Sequence, residues 1–208
     1  MSGRTEELIA SLASDARPVG RLMAPAARAA IWLALLLAIG AAIVVLWADI
    51  PEVLRRNAGI RPMLAWTACL LTGISAIVAA AFLATPDRSR RWALAPLPFL
   101  IGWLALSGIG CLGLEPEPQG DSGMCFAFVM LAGLPTTTFL LWRLQRGRPL
   151  DAWLTMGMGA LGAAGLAAAL LQFFHPFPIT LMDLGVHLAA VALIVAGGGL
   201  AGRILGRR

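Results

Sequence analysis

The run Ala29-Ala-Ile-Trp-Leu-Ala-Leu-Leu-Leu-Ala-Ile-Gly-Ala-Ala-Ile-Val-Val-Leu-Trp47 contains no charged residue. A helix rises ~1.5 Å per residue, so this run reaches almost all the way across the ~30 Å of hydrocarbon in a bilayer. Inside lipid each backbone N–H and C=O must find its partner within the segment or within a closed barrel. An apolar run of this length is therefore read as a membrane-spanning helix. It exceeds the ~7–15-residue apolar core of a secretory leader and follows a long, partly acidic tail, so cleavage as a leader is not expected.

The rest of the chain repeats the pattern. Of 208 residues 59% are hydrophobic and 13% are charged, against about 25% charged in a soluble domain. Too little charge is present to cover a water-facing surface. Further apolar segments lie at about Met63–Leu83, Trp92–Cys111, Met124–Trp142, Ala152–Phe173 and Leu181–Gly202. The expected architecture is all-α: a polytopic membrane protein with six transmembrane helices in one bundle. Residues 1–26 form an N-terminal segment, 27–203 the six-span domain and 204–208 a short basic tail.

The arginines set the orientation. All 16 basic residues are Arg. Arg4, Arg17, Arg21 and Arg28 precede the first span; Arg88, Arg90 and Arg91 fall in the second connection; Arg143, Arg146 and Arg148 fall in the fourth; Arg203, Arg207 and Arg208 end the chain. Only Arg55, Arg56 and Arg61 fall on the other side. The positive-inside rule places both termini in the cytoplasm. Arginine at a membrane face accounts for the basic balance, so no direct nucleic-acid contact is expected. Trp32, Trp47, Trp66, Trp92, Trp142 and Trp153 lie near span ends, as amphipathic rings prefer, and Trp103 is the exception.

Small residues four apart, Gly159 with Ala163 and Gly198 with Gly202, predict close helix approach. Pro96, Pro98 and Pro135 are expected to kink their spans. In the N-terminal segment Thr5 to Ala13 reads as a short amphipathic helix, with Thr5 as its cap, Glu6 and Glu7 in its first turn and Pro18 beyond its end. Leu8, Ile9 and Leu12 share one face, which makes them candidate partner-binding residues. Such a short helix is marginal alone in water and gains order against a partner.

The connection Cys111-Leu-Gly-Leu-Glu-Pro-Glu-Pro-Gln-Gly-Asp-Ser-Gly-Met-Cys125 is acidic, lacks Arg and has a cysteine at each end. The topology puts it outside the cytoplasm, where disulfides persist. A crosslink would close a loop worth ~3 kcal/mol in the chain-entropy model. A permanent staple, a labile sensing pair and two inert thiols all fit this spacing. Other reactive groups gather on the same side: Cys69 in the second span, His175 in the third outer loop, and Asp183 and His187 four apart in the sixth span. Ionisable residues inside a membrane face the bundle interior and mark function. A capping box from Thr180 to Asp183 is the structural alternative for Asp183. Thiolate and imidazole suit a soft metal, so Cys111, Cys125, His175, His187 and Asp183 are candidate ligands for a thiophilic ion acting as a signal. No other cofactor is expected. HExxH, P-loop, GxSxG and dinucleotide fingerprints are absent, and no charge pair crosses the midplane as a transporter often requires. An enzyme is not expected.

The chain resembles the NrsF-like membrane anti-sigma factors (negative regulator of sigma F) over nearly its whole length. The resemblance rests on Thr5-Glu-Glu-Leu-Ile-Ala-Ser-Leu-Ala13, Asp15-Ala-Arg-Pro-Val19, Arg88-Ser-Arg-Arg-Trp92, Gly110-Cys-Leu112, Arg146-Gly-Arg-Pro149 and Phe174-His-Pro176, in that order, with His187 further on. It implies a six-span protein of the bacterial inner membrane that holds an extracytoplasmic-function sigma factor inactive. It further implies release when outer cysteines, matched here by Cys111 and Cys125, sense an oxidant or heavy metal. Cys69 has no counterpart role in the resemblance. The competing readings are a membrane thiol-disulfide exchange protein, which normally needs a CxxC pair, and a metal or small-solute transporter.

Overall fold

The computed structural model describes residues 2–15, 23–86, 88–111, 122–174 and 181–206. Among them the only regular structure is helical: α1 (Ser2–Ser14), α2 (Pro25–Trp47), α3 (Ile50–Arg56), α4 (Ile60–Leu83), a 3-10 helix (Arg90–Leu94), α5 (Leu97–Cys111), α6 (Ser122–Gln145), α7 (Ala152–Leu171) and α8 (Leu181–Leu205). Among the described residues five helices, α2, α4, α6, α7 and α8, are long and apolar enough to cross a membrane.

Prolines start several of these helices, because a proline in the first turn removes only an N–H that has no helical partner anyway. Pro25 opens α2 and Pro51 lies in the first turn of α3. Asp49 caps α3 by accepting from the Glu52 amide at 3.2 Å. The apolar-run reading did not anticipate α3, a two-turn helix in the connection after α2, although Asp49 followed by Pro51 is a helix-start signal. Asp151 caps α7 by accepting from the Leu154 amide at 3.3 Å.

The third apolar segment departs from expectation. Instead of one kinked span from Trp92 to Cys111, a 3-10 helix ends at Leu94 and α5 begins at Leu97, with 15 residues. The Ala95 amide bonds back to Trp92 O at 3.1 Å, and α-type bonding starts with Leu100 N to Pro96 O at 2.9 Å. Pro96 has no N–H with which to continue an α ladder from the preceding turn, and Pro98 falls in the first turn of α5. These prolines separate two helices rather than bend one. Pro135, by contrast, lies inside α6, which runs on past it to Gln145.

The most buried helix is α7, with α4, α6 and α8 packed around it; α5 and α2 lie further out, both against α4. Its sequence explains this position, since 11 of its 20 residues are Gly or Ala, and small side chains let neighbouring backbones approach. The tightest crossing joins α7 to α4. A Cβ on Gly165 would lie 2.9 Å from the Gly73 Cα, and one on Gly73 would lie 2.8 Å from the Leu166 amide nitrogen. A Cβ on Gly162 would collide with Ile77. The expected small-residue sites hold as well: a Cβ on Gly159 would meet Leu144 Cδ1 at 2.8 Å, one on Gly198 the Ala160 Cβ at 2.5 Å, and one on Gly202 the Ala152 backbone.

Large apolar side chains point outward along the bundle, among them Leu35, Ile39, Val45, Ile101, Leu131, Leu193 and Leu200. A water-soluble monomer rarely exposes so continuous an apolar surface. Hydrocarbon is the solvent that fits it.

The α4–α7 crossing yields a direct test. Gly165→Val forces two backbones apart, and overpacking of this kind costs about 1–3 kcal/mol. Thermal unfolding in detergent should show a clear loss of stability for Gly165→Val. Gly40→Ala should match wild type, because a Cβ there meets nothing within 4 Å.

Candidate functional site

Three regions bear on function: the N-terminal helix and the two ends of the bundle. Helix α1 begins at Ser2 rather than Thr5. Thr5 is therefore an interior residue and not the cap, and Glu6 and Glu7 fall after the first turn, where the helix dipole has little hold on them. The expected stop at Pro18 lies outside the described residues. The apolar stripe is present as the spacing predicts. Leu8, Ile9 and Leu12 are 58%, 60% and 63% exposed on α1.

One end of the bundle gathers arginines. Arg28, near the start of α2, donates through Nη2 to Ala81 O at 3.0 Å and to Thr85 Oγ1 at 3.1 Å. It thereby ties α2 to the C-terminal end of α4, whose last carbonyls lack helical donors and carry the negative end of the dipole. Arg90 pairs with Asp151 at 3.2 Å, linking the 3-10 helix to the start of α7. Phe82 stacks on Trp92 with ring centroids 4.1 Å apart, and the Arg146 guanidinium lies 4.0 Å from the Trp142 ring centroid. Gly202 of α8 meets Ala152 at the same end. The arginine-bearing second and fourth connections, the start of α2 and the end of α8 thus share one face of the bundle.

The thiols and imidazole lie at the other end. Cys111 ends α5, and Cys125 lies in the first turns of α6. The connection between them, 112–121, lies outside the described residues, as does His175. Cys125 is not on an exposed loop surface: it is buried in an apolar cluster with Val129, Leu171 and Ile194. On α8, Asp183 and His187 are both buried, on one face as their spacing predicts. His187 Nδ1 lies 2.6 Å from Asp183 O; a carbonyl only accepts, so Nδ1 carries the proton. Thr180, the expected partner of Asp183 in a capping box, lies outside the described residues.

His187 and Cys69 line one small cavity of about 30 Å³, together with Trp66, Trp103, Ser107 and Gln172. That volume holds roughly one water molecule. Cys69 Sγ is 3.6 Å from Gly165 O, Trp66 Nε1 donates to Ala169 O at 3.1 Å, and Gln172 Nε2 reaches Asn57 Oδ1 at 3.5 Å. The fold therefore brings Cys69 and His187 to one cavity. No group of three or more His, Cys, Asp and Glu able to hold a metal occurs among the described residues. Sequence reasoning passed over Ser107 and Gln172. The available signal was a lone polar residue in an apolar run, next to the one tryptophan, Trp103, that sits away from the span ends.

These features define a helical membrane-type bundle with a detached amphipathic helix at its N-terminus. The match to a family model places it further: residues 12–207 fit the model described as NrsF, negative regulator of sigma F, and the chain belongs to that family. The matched region takes in the whole bundle and begins at Leu12, so Leu8 and Ile9 precede it. No curated protein and no solved structure matches the chain.

Burial separates Cys69 from aqueous reagents. It is 5% exposed, so a membrane-impermeant maleimide should leave it unlabelled in folded protein and modify it fully after unfolding in SDS. Mass spectrometry of the peptide carrying Cys69 reads the difference.

Proposed function

We propose that this protein is a membrane-bound anti-sigma factor that grips an extracytoplasmic-function sigma factor through α1. The observation that carries the reading is the apolar stripe of Leu8, Ile9 and Leu12, exposed on a helix joined to a membrane-type bundle, in a chain of the sigma F negative-regulator family. A surface stripe of this kind suits docking into a groove of a partner. Regulation here is by binding, with no catalytic step.

In this reading the bundle sits in a bacterial inner membrane with both termini in the cytoplasm. The third crossing is made by α5 together with the 3-10 helix before it. Residues 1–26 face the sigma factor, 27–203 cross the membrane, and 204–208 form a basic cytoplasmic tail. The gathering of arginines at one end of the bundle supports that orientation. The Cys111–Cys125 connection then faces the periplasm and senses an oxidant or a thiophilic metal, with His175, Asp183 and His187 as further ligands for the ion. Moving a two-state switch from 1:99 to 99:1 takes ~5.5 kcal/mol of differential stabilisation, whereas closing a ~15-residue loop supplies ~3 kcal/mol. A metal bridging the thiols and an imidazole makes up the difference.

Burying a leucine is worth about 1.5–3 kcal/mol. Leu8→Asp/Leu12→Asp should therefore weaken sigma-factor retention by roughly a hundredfold or more, read by pull-down of the host's extracytoplasmic-function sigma factors on membranes of equal protein content. Retention at the wild-type level, or undiminished binding after removal of residues 1–20, would sink α1 as the grip. Sensing is tested separately: Cys111→Ser/Cys125→Ser protein, at equal abundance, should no longer release sigma-dependent transcription under peroxide or cadmium. A wild-type response would remove the cysteine pair from the mechanism.

A further inference from the structure

We propose that the cleft between α2 and the wall formed by α6 and α7 is a binding site for the acyl chains of a membrane phospholipid. The cleft exists because α2 touches the bundle tightly only near its start. Its sole buried residues are Ala29 and Trp32, which pack with Ile77, Leu140 and Leu144, beside the Arg28 anchor on α4. Leu33 and Leu36 still pack against that cluster; beyond them α2 borders a space of about 840 Å³.

The lining selects the ligand class. It comes from residues 35–45 of α2, Trp66 and Leu70 of α4, 131–139 of α6, 166–170 of α7 and Phe173 just after α7, and nearly all of it is apolar. Its polar side-chain groups are already used: Thr136 Oγ1 donates to Ala132 O at 2.8 Å, and Trp66 Nε1 to Ala169 O at 3.1 Å. Neither is left to orient a polar ligand. The rim residues Leu35, Leu37, Ile39 and Val45 on one side, and Leu131 on the other, are exposed and continue the outer apolar surface of α2 and α6. The cleft therefore opens sideways into the medium that covers those helices. This step rests on the membrane-spanning reading.

Dimensions distinguish a lipid from a protein helix. Residues 35–45 rise ~15 Å, which is one leaflet of a ~30 Å hydrocarbon core; a spanning helix from a second copy needs twice that length. An apolar cavity of ~150 Å³ takes up benzene with its six carbons, so the cleft would hold about thirty carbons, the content of two acyl chains. Charge agrees at the outer end. Arg55 and Arg56 of α3 and Arg61 in the first turn of α4 are the three arginines that depart from the clustering of the others; Glu52 pairs with Arg55, and with Asp49 also present the segment keeps a net positive charge at the level where a phosphate headgroup would lie.

The test uses full-length protein in vesicles of phosphatidylethanolamine and phosphatidylglycerol, with a trace of phosphatidylglycerol bearing a diazirine in its acyl chain. After photolysis, adducts are mapped by peptide mass spectrometry. The expected result is labelling of 35–45, 131–139 and Trp66 at least fivefold above the exposed α8 face around Leu193 and Leu200. Gly40→Phe, which fills open space, should remove that excess and leave the α8 labelling unchanged. Even labelling of cleft and α8 overturns the site while leaving the bundle in the membrane. Labelling of neither overturns the membrane reading as well. Native mass spectrometry of wild type from mild detergent provides a readout that needs no variant: one retained phospholipid mass per chain supports the site, and lipid-free protein under conditions that keep the fold argues against it.

Discussion

The arrangement depends on one contact, the crossing of α4 and α7 at Gly73, Gly162 and Gly165. Lipid tails are as apolar as leucine, so helices in a membrane gain little by hiding apolar side chains from their surroundings and must instead fit together closely. Two backbones can approach as α4 and α7 do only where neither carries a Cβ at the crossing. With α7 seated on α4, its other faces accept α6 and α8, through Gly159 against Leu144 and Gly198 against Ala160. The centre of the molecule is thus rich in glycine and alanine, with a few large residues such as Ile77, Leu140 and Ile194 among them, and many bulky side chains face outward. That inverts the usual distribution in a soluble protein.

The two ends of the bundle do different work. At the arginine end, guanidinium groups meet groups that need them: the C-terminal carbonyls of α4 receive Arg28, and Asp151 receives Arg90. Rings of Trp92, Phe82 and Trp142 stack there with one another and with arginine. At the opposite end a set of polar side chains is gathered inside the bundle. Cys69, Ser107, Gln172 and His187 converge on a space the size of one water molecule. A buried polar cluster of this kind is costly unless its members satisfy one another, so its geometry is tightly held.

Much of this was legible in the sequence, for physical reasons that differ from element to element. The run from Ala29 to Trp47 reads as a membrane-type helix from its length and apolarity alone, and α4, α6, α7 and α8 follow the same logic. The face shared by Leu8, Ile9 and Leu12 and the pairing of Asp183 with His187 follow from helical periodicity. Helix starts were harder to read. The apolar run from Trp92 to Cys111 gave no reason to choose between a kinked span and two helices, and the choice turned on which hydrogen bonds the Pro96 ring leaves available. Ser2 rather than Thr5 begins α1, since several residues there can end an exposed helix at similar cost. The company of Cys69 was not legible at all: Ser107, Gln172 and His187 come from three other segments, and only the packing of α4, α5, α7 and α8 brings them together.

The proline break before α5 has a consequence for the lipid itself. With 15 residues, α5 covers only ~22 Å, while α4 and α8 beside it each exceed the ~30 Å hydrocarbon thickness. In the six-crossing reading proposed above, the bilayer along the α5 flank has to thin, or draw the 3-10 helix and its arginines toward the apolar layer, at a cost of some tenths of a kcal/mol for each ångström of mismatch. The deformation is one-sided, because the long helices border the rest of the bundle. The protein is therefore coupled to the thickness of the membrane it occupies, and a change in chain length among the surrounding lipids acts on one edge of the bundle before it acts on the others.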